Sequence, residues 1–80
     1  MLLFAFRSRT QSMKIYDTFR ARGCACSIIN TPREVSASCG LSVTVPETDA
    51  ERAIRIYDYY KPDTLIGIFR CDANGCTRYR

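Results

Sequence analysis

A helix shows its apolar residues every three or four positions and a strand shows them every second one. This chain switches between those two periods in a fixed order. Leu41-Ser42-Val43-Thr44-Val45 alternates without a break and reads as the clearest strand, ended by Pro46. Residues 2–7, 24–31 and 65–69 are further short apolar runs of strand type, the second of them closed by Pro32. Between the first two runs, Ser8 and Gln11 stand at capping-box spacing. Met13, Tyr16 and Phe19 then form an apolar stripe beside Arg20, and Gly23 takes the position past the helix end. After Pro46, Thr48 and Glu51 make a second capping box, with Asp49 favourable at the same terminus. Ala50, Ala53, Ile54, Tyr57 and Tyr60 mark the expected buried stripe of this second helix, and Pro62 stops it.

The predicted order is β-α-β-β-α-β. It implies an α+β, ferredoxin-like split β-α-β two-layer sandwich, with both helices on one face of an antiparallel sheet of order 4-1-3-2. Eighty residues suffice for one domain near the lower size limit of a self-sufficient core. That domain is placed at residues 1–70, with 71–80 as a polar C-terminal tail containing Asn74-Gly75. The topology brings the loop after the second strand to the end of the sheet where the first helix starts, beside Arg7, Ser8 and Arg9. Cys24 and Cys71 fall at the other end and on opposite edges, about 14 Å apart at three strand spacings.

Bulk composition narrows the function. The net charge of +4 is mild and comes largely from scattered arginines, so it suits an acidic partner surface without marking a nucleic-acid binder. The opening Met1-Leu2-Leu3-Phe4-Ala5-Phe6 is too short for a signal peptide and meets Arg7 and Arg9 at once. No run approaches transmembrane length. A cytoplasmic protein is expected, with its five cysteines mainly reduced and the odd count arguing against a closed disulfide framework. Histidine is absent, which removes Cys-His and Ser-His catalysis and histidine-based metal centres, and no glycine-rich phosphate loop occurs. A non-enzyme is the expectation.

The chemistry concentrates in Thr31-Pro32-Arg33-Glu34-Val35-Ser36-Ala37-Ser38-Cys39-Gly40. This polar segment puts a thiol between serines, a glycine and an arginine. Nearby cations and hydrogen-bond donors favour the thiolate, the nucleophilic form of cysteine. Arg33, with Arg7 and Arg9 at the same end, suits an anion on Cys39; Ser36, Ser38 and the Gly40 amide are the donors. The competing reading is a buried, inert cysteine filling the loop.

At Pro32-Arg33, Ser36 and Ser38-Cys39-Gly40, set in the β-α-β-β-α-β frame, the chain resembles the selenium/sulfur (Se/S) carrier-like family of small bacterial proteins. The resemblance spans residues 2–70. It implies that Cys39 is a carrier thiol, with Pro32, Arg33, Ser36, Ser38 and Gly40 as its setting. It also implies a donor such as a cysteine desulfurase and an acceptor enzyme, with covalent sulfane sulfur or selenium on Cys39 in place of a cofactor.

The other cysteines lie outside that pattern. Cys24, Cys26 and Ile28 share one face of their strand and read as core filling rather than a metal pair. Cys71 and Cys76 read as incidental tail cysteines, able to pair under oxidation. A thiol-based metal trafficking or sensing module, and an interaction module with an inert Cys39, are the alternatives. RNA binding through Tyr57, Tyr59 and Tyr60 is disfavoured, since the aromatic strand motif of RNA-recognition modules is missing. No nucleic-acid, membrane or metal partner is expected.

Overall fold

The computed structural model describes residues 1–36 and 40–80. The elements are β1 (Leu2–Phe6), α1 (Arg9–Ala21), β2 (Ser27–Asn30), β3 (Leu41–Val45), α2 (Ala50–Tyr60), β4 (Leu65–Asp72) and β5 (Gly75–Arg78), with a 3-10 turn at Glu47–Asp49 leading into α2. They build one antiparallel sheet of order β2-β3-β1-β4-β5.

Four strands therefore neighbour one another in the expected sequence, and a fifth corrects the strand count. Residues 71–80 are not a tail beyond the domain. β4 runs on to Asp72, turns through Ala73-Asn74 and returns as β5, with Cys71 directly opposite Cys76. The local signal for that turn, Asn74-Gly75, was present. Its strands are polar on one side and so lack the unbroken apolar alternation that marks a half-buried strand.

α1 starts as anticipated, with Ser8 Oγ accepting from the Gln11 amide at 3.2 Å. Only half of the capping box forms, because the Gln11 side chain leaves the helix to donate to Asp63 at 2.9 Å and to accept from Thr64. The C-terminus closes with paired bonds: the Gly23 amide to Arg20 O and the Cys24 amide to Phe19 O, with Gly23 at φ +87°. The buried stripe is Ser12, Ile15 and Phe19, rotated from the expected Met13-Tyr16-Phe19; Met13 is exposed.

α2 departs more. Thr48 and Glu51 make no capping box. Asp49 occupies the cap position without capping, since its carboxylate takes the Ala25 amide at 2.8 Å and ties the 24–26 segment to the start of α2. Ala50, Ala53 and Ile56 are buried, Ile54 and Tyr57 are partly buried against the same core, and Tyr60 is exposed. Lys61, in the left-handed region at φ 44°, ends the helix ahead of Pro62.

All five residues of β1 are fully buried, so both faces of the sheet are covered. Leu2, Phe4 and Phe6 point into the main core, with Ile15, Phe19, Val43, Val45, Ala53, Ile56 and Ile68. Phe4 meets Phe19 edge-on at 5.2 Å. Leu3 and Ala5 point the other way, into a smaller cluster with Phe69 and Cys71, packed by Ile29, Val35, Ile66 and Cys76. No helix contributes to that second cluster among the described residues.

Candidate functional site

Cys24 and Cys26 precede β2 rather than lying within it, and both are buried in the helix-side core as expected. The Cys26 thiol donates to Tyr16 O at 3.6 Å. Burial pushes both thiols up from their ordinary pKa, with the Asp49 carboxylate adding to the effect at Cys24. Neither is a ready nucleophile. Cys71 and Cys76 correct the expectation of mainly reduced, incidental thiols: they form a disulfide across β4 and β5, with Cα atoms 4.0 Å apart. Facing positions on neighbouring antiparallel strands bring two cysteines within bonding reach, which a five-residue separation in the sequence did not reveal.

Cys39 and Ser38 lie outside the described residues, but the chain on either side of them is placed. On the downstream side, Gly40 is buried with its Cα hard against the end of β1. A Cβ there would come within 2.9 Å of the Phe6 carbonyl oxygen, so this position has room only for glycine. The Gly40 carbonyl accepts from the Thr31 amide at 2.9 Å, which closes the base of the 31–40 loop. Ser12 Oγ, on the first turns of α1, donates to Leu41 O at 2.9 Å and approaches Ser8 O at 3.1 Å. The residue after Cys39 is thus held beside Phe6 and the start of α1, the end of the sheet where Arg7 and Arg9 stand.

Arg7 and Arg9 are exposed, and neither they nor Arg33 pairs with a carboxylate among the described residues. By contrast Arg70 is engaged by Glu47 and Arg80 by Asp58. Asp63, in the turn between α2 and β4, accepts from the Gln11 side chain at 2.9 Å. Arg7 and Arg9, uncompensated at the end of β1 and the start of α1, make that end of the sheet suited to anions, while Arg33 stands on the Pro32–Ser36 turn.

On the upstream side the loop does something the sequence did not disclose. Pro32 O accepts from the Val35 and Ser36 amides at 3.0 and 3.1 Å, folding Pro32–Ser36 into a tight turn. That turn does not stay at the sheet's end. Val35 packs into the cluster of Leu3, Ala5, Phe69 and Cys71, and Glu34 Oε2 accepts from the Cys76 amide at 3.3 Å. The loop therefore straps the face that carries no helix and reaches the disulfide hairpin. Glu34 and Val35 were the positions that sequence reasoning passed over. An apolar residue inside a polar loop is the only local signal either one gives.

Among the described residues, no three His, Cys, Asp or Glu side chains converge as a metal site. No helix among them is long and apolar enough to cross a membrane. A groove between the helices, lined by Gln11, Lys14, Ile15, Thr18, Tyr60 and Pro62, contains none of the loop residues.

No curated protein sequence matches the chain, and no solved structure does. A family model does match, over residues 1–61, which takes in β1 through the end of α2 and the whole Thr31–Gly40 segment but stops short of β4 and β5. On that match the chain belongs to the family described as "Putative Se/S carrier protein-like".

Proposed function

We propose that this protein is a non-catalytic carrier that holds sulfur or selenium on Cys39 and passes it from a donor enzyme to an acceptor. The observation that carries this reading is the anchoring of Gly40 and Leu41 at the start of α1, beside Arg7 and Arg9, which have no acidic partner among the described residues. In sulfur loading, the Cys39 thiolate attacks the terminal sulfur of a donor persulfide. A new S–S bond forms at Cys39 Sγ, and the donor's cysteine leaves as a thiolate. The product carries a terminal anionic sulfur, which the uncompensated arginines favour.

The remaining thiols support a carrier over a metal-trafficking module. Such a module needs further thiolates beside Cys39, yet Cys24 and Cys26 are buried in the core with raised pKa values, and Cys71 and Cys76 are consumed in a bond to each other. The small sandwich, a split β-α-β arrangement extended by one hairpin, acts in this reading as a rigid holder for one loop.

Incubation with a cysteine desulfurase and cysteine tests the proposal by intact-mass measurement. One added sulfur atom, lost again on transfer or in Cys39→Ser, is the expected result. An unchanged mass beside a competent desulfurase that loads another acceptor would overturn it.

A further inference from the structure

The β4–β5 hairpin lies beyond the residues matched by the family model, yet it is the hairpin that the 31–36 loop touches. β5 is an edge strand of four residues, with Thr77 and Arg78 exposed and Gly75 and Cys76 half-buried. Its first half is held by the ladder to β4, which sets Cys76 opposite Cys71 and Gly75 opposite Asp72, and by the Cys71–Cys76 bond. Farther along, the Tyr79 and Arg80 amides donate to Ile68 O at 2.7 and 3.0 Å, Arg78 stacks over Phe69, and Arg80 pairs with Asp58 on the surface. The anchor for Glu34, the Cys76 amide, is thus part of the cross-linked residue itself. Gly75 keeps the approach open, because a Cβ there would stand 3.1 Å from Glu34 Oε2.

We propose that the Cys71–Cys76 bond is a second reactive sulfur site, the target of a dithiol reductant, and that its reduction releases the strap that leads to Cys39. Cys71 is buried and Cys76 half-buried, so the attack falls on Cys76 Sγ. One thiolate of the reductant bonds to Cys76 Sγ, and Cys71 leaves as a thiolate and takes up a proton. The reductant's second thiolate then displaces Cys76 from the mixed disulfide. The reductant ends as a disulfide and the protein gains two thiols, so two electrons and two protons have moved. Cys24 and Cys26, sealed in the core on the opposite face, are not placed to intercept either step. With the cross-link open, the hairpin tip frays, Glu34 loses a fixed partner, and the Pro32–Ser36 turn keeps Val35 as its apolar contact with this face.

The consequence for Cys39 rests on the carrier reading, but the test needs no sulfur donor. Amide hydrogen exchange is followed on the oxidised protein and on protein reduced with dithiothreitol, desalted and kept under nitrogen. Reduction is expected to speed exchange at Val35, Ser36 and Cys76 by about fivefold or more while α1 stays protected. Cys39 alkylation by iodoacetamide is expected to change by a similar factor. A Cys71→Ser/Cys76→Ser double variant should match the reduced protein and ignore dithiothreitol. Equal exchange or equal Cys39 alkylation in the two redox states overturns the proposal. If the double variant loses protection in α1 as well, the reversible reduction of the native chain decides alone. A chain that never accepts sulfur could still show the latch, and a chain without the latch could still load sulfur, so the two failures are told apart.

Discussion

The two faces of the sheet are sealed in different ways. On one, Leu2, Phe4 and Phe6 meet the stripes of two helices, and the seal is made of large side chains at regular spacing. On the other, Leu3 and Ala5 are equally inaccessible to water, yet what covers them is a five-residue turn, a half-buried valine and a short cross-linked hairpin. A helix that packs many side chains at once is costly to shift. A five-residue turn docked through Val35 and a carboxylate–amide bond packs fewer side chains. The contrast separates a face sealed by regular helix packing from one sealed by a turn and a hairpin, and the segment carrying Cys39 continues in sequence from the second.

The largest effect should come from the helical side. Phe4→Ala removes a fully buried ring that meets both Phe19 and Tyr57, and is expected to lower the unfolding free energy by about 3–5 kcal/mol in urea titration. A domain this small has little more than that to lose, so the variant should be partly unfolded at 25 °C. A cost no larger than that of a strap substitution would erase the distinction between the faces.

Val35→Ala should do less, about 1 kcal/mol, because its side chain is only half-buried and the turn has other bonds. Its sharper signature is local: faster exchange at Ser36 with α1 unchanged. Were the loss of stability to rival that of Phe4→Ala, the strap would be part of the core.

The smallest effect is a dependence on pH from the helix-side thiols. Cys24 and Cys26 have native pKa values raised above 9.0 by burial, so their neutral forms belong to the folded state. The stability they contribute is present in full below the unfolded pKa. It declines as pH rises through 9.0 toward the native values, because the unfolded chain then releases protons that the native chain retains. Melting temperatures measured from pH 8 upward should fall less steeply in a Cys24→Ala/Cys26→Ala variant. A parallel decline in both proteins would remove these thiols from the account.

The two faces also differ in how far they could be read from the residues. Phe19, Ala50 and Ala53 declared themselves by helical spacing, and Cys24, Cys26 and Ile28 by strand alternation. Exact stripes slipped where polar residues outcompeted spacing: Ser12 is buried because its hydroxyl finds Leu41 O and Ser8 O, partners that no local pattern reveals. The second capping box failed because Asp49 found the Ala25 amide, 24 residues away, a better use for its carboxylate.

Periodicity, proline and glycine positions act over a few neighbouring residues, and on their own they determined four strands, two helices, the break at Gly23 and the isolation of Thr31–Gly40 as a polar loop. Glycine at position 40 followed from the family pattern, but its reason, the Phe6 carbonyl beneath it, is tertiary. Only the folded sheet decided that Cys71 faces Cys76 and that Glu34 reaches the hairpin. Both depend on strand register and on a loop crossing several strands, and such pairings between distant segments are settled by the packing of the whole chain rather than by local preference.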